Sequence, residues 1–194
     1  MSIYRIHNDD RYTVYHISSS EVINKLGRAY PIHIDHSPVR YADVWPDEFA
    51  IAFLADVDSD ATEVPDISLS GGKLYLSEAA YAALGELLKN DGEFLAVQHQ
   101  GGSGYLFNPL VIAEEHGALN SERTVYDPHG NLEHFEFIES ALGSAVVFRT
   151  ELDSFTGLFC QDNFKQAVSD TGLTGISFQP DLANFGGDTS DHSH

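Results

Sequence analysis

A chain of 194 residues with 42% hydrophobic and 11% aromatic residues can bury one sizeable core, which excludes both a disordered chain and two full domains. Its 30 Asp and Glu against 10 Lys and Arg leave a formal charge of -20, which repels nucleic acid and anionic lipid and attracts cationic partners. The single cysteine, Cys160, excludes an internal disulfide and fits a reducing compartment. The N-terminus turns polar before a signal region could form, and no stretch approaches the roughly 18 apolar residues of a membrane span, so the expected location is the cytoplasm.

In chain order, Ile3-Tyr4-Arg5-Ile6 and residues 12–17 are rich in aromatic and β-branched residues and read as strands on either side of a polar Asn8-Asp9-Asp10 turn. Ser18 followed by Glu21 matches a capping box, after which Val22, Ile23 and Leu26 form a helical stripe that Gly27 closes. Between Tyr41 and Gly72 there is no Lys, Arg or His, which makes that window an uninterrupted anionic stretch. Within it, Ala50-Ile51-Ala52-Phe53-Leu54 predicts a buried strand, and residues 56–66, broken by Pro65, predict an exposed loop.

Ser70-Gly71-Gly72 is a candidate boundary between an N-terminal lobe, 1–70, and a C-terminal lobe, 71–185. Ser77 is a good N-cap for a helix with Glu78 at its positive end and Ala80, Leu84, Leu87 and Leu88 on one face, ended by Asn90-Asp91-Gly92. Residues 94–97 and 105–109 predict a strand pair joined across a flexible Gly101-Gly102-Ser103-Gly104, with Pro109 at a strand end. A hairpin follows, in which residues 124–126 and 132–137 flank Asp127-Pro128-His129-Gly130-Asn131. Further strands are expected at 146–149, 158–160 and 175–178, with a helix between the last two that Asp162 caps and Gly172 stops. The whole reads as one α+β domain over 1–185, mostly antiparallel sheet with a few short helices packed on it, followed by a mobile polar tail at 186–194.

Residues that could carry chemistry are few. His33-Ile34-Asp35-His36 is a usable ligand set for zinc or a non-haem metal, but on a strand His33 and Asp35 would face one way and His36 the other. His129 and His134, with Glu133 and Glu136 nearby, could be imagined as a general acid-base pair, although a solvated hairpin face explains them better. No Ser has the surroundings of a nucleophile elbow, and Gly101-Gly102-Ser103-Gly104 lacks the Lys-Ser/Thr of a phosphate loop. Cys160 follows Leu158-Phe159 and is expected to be a buried, inert thiol. The alternation of Asp56, Asp58 and Asp60 suggests a calcium loop, yet the required Gly and closing Glu are missing. What remains is a carboxylate cluster that either faces solvent, serving solubility alone, or meets Lys and Arg on a partner.

From about Ser70 to Phe178, a little over half the chain, the pattern resembles the immunity proteins of bacterial polymorphic toxin systems, in particular the family numbered eleven, formerly a domain of unknown function. The carrying residues are Leu74-Tyr75-Leu76-Ser77 opening the helix to Leu88, then Gly92 to Val97, Tyr105-Leu106-Phe107-Asn108-Pro109-Leu110 and Leu119-Asn120-Ser121-Glu122. Leu158-Phe159-Cys160 through Gly172-Leu173-Thr174-Gly175-Ile176-Ser177-Phe178 complete the pattern. The resemblance implies a protein that neutralises a cognate toxin by tight contact, with no catalytic residue and no cofactor.

The first expectation is therefore an acidic immunity protein whose contact surface is Asp56, Asp58, Asp60, Glu63 and Asp66, with Glu133, Glu136 and Glu139 second. The partner would be a basic toxin or effector protein, not nucleic acid or a membrane. A second is a small metal-dependent hydrolase using His33, Asp35 and His36 or His129 and His134. A third is an adaptor subunit of a secretion-type assembly.

Overall fold

The fold is seen in a computed structural model that describes residues 2–57 and 59–185; Asp58 and the tail expected at 186–194 lie outside the described residues. Along the chain run β1 (Ile3–Asn8), β2 (Val14–His16), α1 (Ser19–Lys25), β3 (Ala52–Leu54), β4 (Ile67–Ser70), β5 (Lys73–Ser77) and α2 (Glu78–Leu88). They are followed by β6 (Gly92–His99), β7 (Gly102–Pro109), β8 (Val125–Tyr126), β9 (Leu132–His134), β10 (Val147–Phe148), β11 (Phe159–Gln161), α3 (Asp162–Thr171) and β12 (Ile176–Gln179). The α+β class, dominated by antiparallel sheet, is as the sequence predicts.

Two four-stranded sheets organise the molecule, one in the order β4-β5-β7-β6 and the other β10-β11-β1-β12. Because successive side chains on a strand point to opposite faces, each sheet feeds two cores. Leu74, Leu76 and Phe107 of the first sheet meet Ile6, Val147 and Cys160 of the second, with Leu84, Leu88, Phe164 and Val168 of α2 and α3 packed among them. On the opposite face of the first sheet, Tyr75, Leu95, Val97 and Leu106 pack against Tyr15, Val22, Ile32, Tyr41 and Phe49 from the N-terminal segments. Phe148 and Phe159 turn to the outer face of the second sheet, where they join Phe135, Phe137 and Leu142.

Strands β4 and β5 form a hairpin whose two-residue turn is Gly71-Gly72, both in the left-handed region at φ 55° and 67°. That is the turn whose twist matches antiparallel strands, and it is the glycine pair that in sequence marks a candidate boundary. The β6–β7 hairpin is tighter than expected: Gly102 to Gly104 already belong to β7, leaving Gln100 and Gly101 as the turn. Gly104 is there for space, since a Cβ would lie 2.5 Å from the Leu76 carbonyl oxygen and 2.6 Å from the Tyr75 ring. Gly104→Ala is therefore expected to cost about 1–3 kcal/mol through overpacking, read as a lower urea midpoint with an unchanged slope.

Local signals held at the helices with two adjustments. Ser18 accepts from the Glu21 amide, but the Glu21 carboxylate accepts from Ala50 N instead of returning to Ser18, so half of the capping box is used to tie α1 to the chain before β3. Ser77 caps α2 as expected, accepting from Ala80 N, and Gly172 closes α3 at φ 67°. The N-cap of α3 is Gln161, not Asp162, which is the first helical residue. The run at 50–54 is not one buried strand: Ile51 is buried and Gln98 of β6 accepts from its amide, while Ala52 and Leu54 of β3 are exposed beside β2.

Candidate functional site

The anionic loop emerges from β3 and is pinned at two points. Ser59 Oγ donates to the Asp10 carbonyl at 3.0 Å, and Thr13 donates through its amide and its hydroxyl to the Glu63 carbonyl at 3.0 and 2.9 Å. Asp56, Asp60 and Glu63 are exposed. Asp66 is half-buried and committed to the fold: it accepts from Ser77 Oγ at 2.9 Å and from Thr174 N and Oγ1 at 3.1 Å each, joining the start of α2 to the loop before β12. Exposed apolar side chains share this region, with Val57 94%, Leu54 55% and Val64 42% exposed. Leu54 and Val64 border a groove of about 490 Å³ together with Thr13, Phe53, Thr62 and His99.

The second carboxylate set borders a different groove, of about 370 Å³, lined by Ile3, His134, Glu136, Glu139 and Leu182 among others. Glu133 is exposed on β9, and Glu136 is half-buried, 3.3 Å from His134 Nε2. His129 is exposed in the turn between β8 and β9, where Asp127 accepts from the backbone amides of His129 and Asn131 at 2.8 Å each. A hydrogen bond from the Asn131 side chain, at 2.8 Å, and then those from the amides hold the Asp127 carboxyl below its ordinary range, and its job is to shape the turn.

The His33 segment is a succession of turns, not a strand, because Ile34 N and Asp35 N both donate to the Pro31 carbonyl. The strand geometry that would put His33 and Asp35 on one face therefore does not apply. His33 and His36 line one small cavity of about 50 Å³, while Asp35 is exposed, accepts from Ser37 N at 2.9 Å and borders a separate groove of about 610 Å³. Among the described residues, no group of three or more His, Cys, Asp or Glu is placed to hold a metal ion. Cys160 is wholly buried, and burial pushes its thiol well above the ordinary value.

A buried cationic centre, absent from the sequence reading, lies behind that cavity. Lys73, 1% exposed, shares the Tyr75 face of β5 and donates to the Gly71 carbonyl at 3.3 Å. Burial, with Arg149 close by, pushes its amine down to about 7. Arg149 is entirely buried; one terminal nitrogen donates to the His36 carbonyl at 2.7 Å and the other to Asn108 Oδ1. Burial pushes its guanidinium down to about 10, so it stays charged at neutral pH. Asn108 Nδ2 in turn donates to Glu93 Oε1 and to the Val39 carbonyl, each at 2.8 Å, and the Glu93 carboxylate accepts from Tyr41 N and Ala42 N. His36 stacks over the β4–β5 turn so closely that a Cβ on Gly71 would be 2.6 Å from its ring, and burial lowers its pKa.

Ser154 and Phe155, the described non-glycine residues at positive φ, border the 610 Å³ groove next to His36. The signal that marks this centre was present in the chain. Lys73 opens the apolar run 74–76 and Arg149 ends the run 146–148, and a cation inside a strand-forming segment of a chain with only 10 basic residues calls for a buried partner. Compared with protein-family models and with curated proteins, the chain matches no family model and no curated protein.

Proposed function

We propose that the chain is an immunity-type protein that neutralises a cognate toxin by direct contact, presenting the loop after β3 to a basic partner. The observation that supports this reading is the mixture at that loop. Asp56, Asp60 and Glu63 are exposed around Leu54, Val57 and Val64, apolar side chains that a protein interface would bury within a charged rim. A groove of about 490 Å³ at the root of the loop offers a seat for a partner side chain. Carboxylates at the rim would steer encounter, and the apolar residues would slow dissociation.

The test is to search the neighbouring reading frames for a toxin-domain protein, purify the chain with it and follow association by stopped flow over a range of salt concentrations. The rate constant is expected to fall about tenfold or more between low and high salt, and the Asp56→Asn, Asp60→Asn, Glu63→Gln triple variant should lower it at low salt while keeping the wild-type circular dichroism. Failure of the pair to associate, or a rate indifferent to both salt and the triple variant, rejects the proposal. No helix among the described residues is long and apolar enough to cross a membrane.

A further inference from the structure

The geometry points to a second, separate site: we propose that the cavity walled by Lys73, His33 and His36 binds a small free oxyanion of the size of inorganic phosphate. Three features converge on it. The first is uncompensated positive charge. Lys73 and Arg149 are 1% and 0% exposed, and the guanidinium is near enough to disfavour the charged lysine. Among the described residues neither has a carboxylate oxygen within salt-bridge distance. Arg149 has Glu93 and Asp153 near enough to favour its charged form, Glu93 bonding to it only through Asn108, so the cation left without compensation is Lys73. Asp35 favours the charged lysine but is exposed and bonded to Ser37 N.

The second feature is unspent hydrogen-bonding capacity. Lys73 Nζ has three hydrogens and one recorded acceptor, the Gly71 carbonyl, while His33 Nδ1 and His36 Nδ1 are buried without a partner. Arg149 Nε, buried and unpartnered as well, does not line the cavity and adds nothing to it. Buried polar atoms left unmet are costly, and here they cluster. The third is room. The cavity measures about 50 Å³, against roughly 10–15 Å³ needed to seat one water on the same measure.

These features select the class of ligand. The Lys73 ammonium at the wall, with Arg149 behind it, repels a metal ion, and that ammonium and the ring nitrogens can donate to oxyanion lone pairs. Water would meet the hydrogen bonds but leave the charge uncompensated. The remaining wall, Tyr15, His16, Ile17, Ile32, Ser70 and Gly71, adds no carboxylate to compete. The Tyr15 hydroxyl is already engaged with the Ser70 and Lys73 carbonyls. A seated anion would hold Lys73 in its ammonium form and would fasten the His36 turn to the β4–β5 hairpin.

Inorganic phosphate is the probe, at neutral pH and constant ionic strength. Thermal unfolding of the wild type should shift upward with a saturable dependence on phosphate, and the ring resonances of His36 should move with the same dependence. Lys73→Met should fold and show neither response, and His36→Gln should weaken binding about tenfold, the loss of one good hydrogen bond to a charged group. Phenyl phosphate, too bulky for the cavity, should have no effect. No saturable response in the wild type, an equal response in Lys73→Met, or an equal response to phenyl phosphate overturns the site. Should Lys73→Met fail to fold, the His36 resonances of the wild type decide alone: movement with phosphate supports the site, and stillness rejects it.

Discussion

Asn108→Leu is expected to lower stability by about 3–5 kcal/mol, the cost of stripping partners from buried charge. Asn108 is wholly buried at the end of β7 and stands between the two charged groups of this core, donating to Glu93 and accepting from Arg149. Leucine fills nearly the same volume but offers neither function, so the guanidinium keeps only the His36 carbonyl and Glu93 loses its side-chain donor. Removing the stranded charge should then restore part of the loss: Asn108→Leu with Arg149→Met should be less destabilised than the two single variants predict by addition. Urea unfolding of the three variants checks both statements. A loss below about 1 kcal/mol for Asn108→Leu, within the range of an ordinary neutral hydrogen bond, would show that the charges do not depend on it.

The network matters because of what it secures. Between α1 and β3 the chain runs without helix or paired strand, and such a segment must find partners for its backbone groups elsewhere. It finds them here, through the His36 and Val39 carbonyls and the Tyr41 and Ala42 amides. Those four bonds lay the segment over the first sheet and bring Ile32, Tyr41 and Phe49 into its core. The same arrangement places His36 on the β4–β5 turn, so the stability of this region and the shape of the cavity have a common origin.

How much of this the sequence discloses depends on how far apart the partners lie along it. The helix boundaries at Ser77 and Gly172 follow from capping chemistry spanning a few residues, and the chain shows them directly. Strand β5 is harder. Leu74, Tyr75 and Leu76 are buried on both faces of the sheet, so the alternation that betrays a strand is erased, and the run reads as the approach to α2. Exposure of Asp56, Asp60 and Glu63 was readable from composition and Pro65, whereas the commitment of Asp66 was not, since Thr174 lies 108 residues away. The cationic centre is the extreme case: Arg149 meets Asn108 and the His36 carbonyl across 41 and 113 residues, distances at which periodicity and propensity carry no information.

Lys73 makes the second large effect a matter of pH. Its amine is pushed down to about 7 in the folded protein, against ~10.4 in an unfolded chain. Between those values the unfolded state holds a proton that the folded state has released, so stability rises with pH across the window. Below about 7 both states carry the proton and the full penalty of a buried ammonium applies. The contribution of Lys73 to the slope should approach ~1.4 kcal/mol per pH unit and its total should be on the order of 4 kcal/mol. Lys73→Met has no such group, so it should be the more stable protein near neutrality, with its advantage shrinking steadily as the solution is made alkaline. His36, whose pKa is also lowered by burial, is neutral in both states over this window and does not contribute. Cys160, whose thiol is pushed up by burial, opposes the trend in the upper part of the window, as do Tyr15, Tyr41 and Tyr75 at its alkaline end. Arg149, pushed down to about 10, adds to the trend there, and all of these groups are common to both proteins and cancel in the difference. Urea unfolding of wild type and Lys73→Met at closely spaced pH, in buffers free of phosphate, isolates the lysine as the difference between the two curves. Parallel curves would mean that the ammonium is stabilised in the fold by a partner of its own, which would remove the uncompensated charge from the cavity as well.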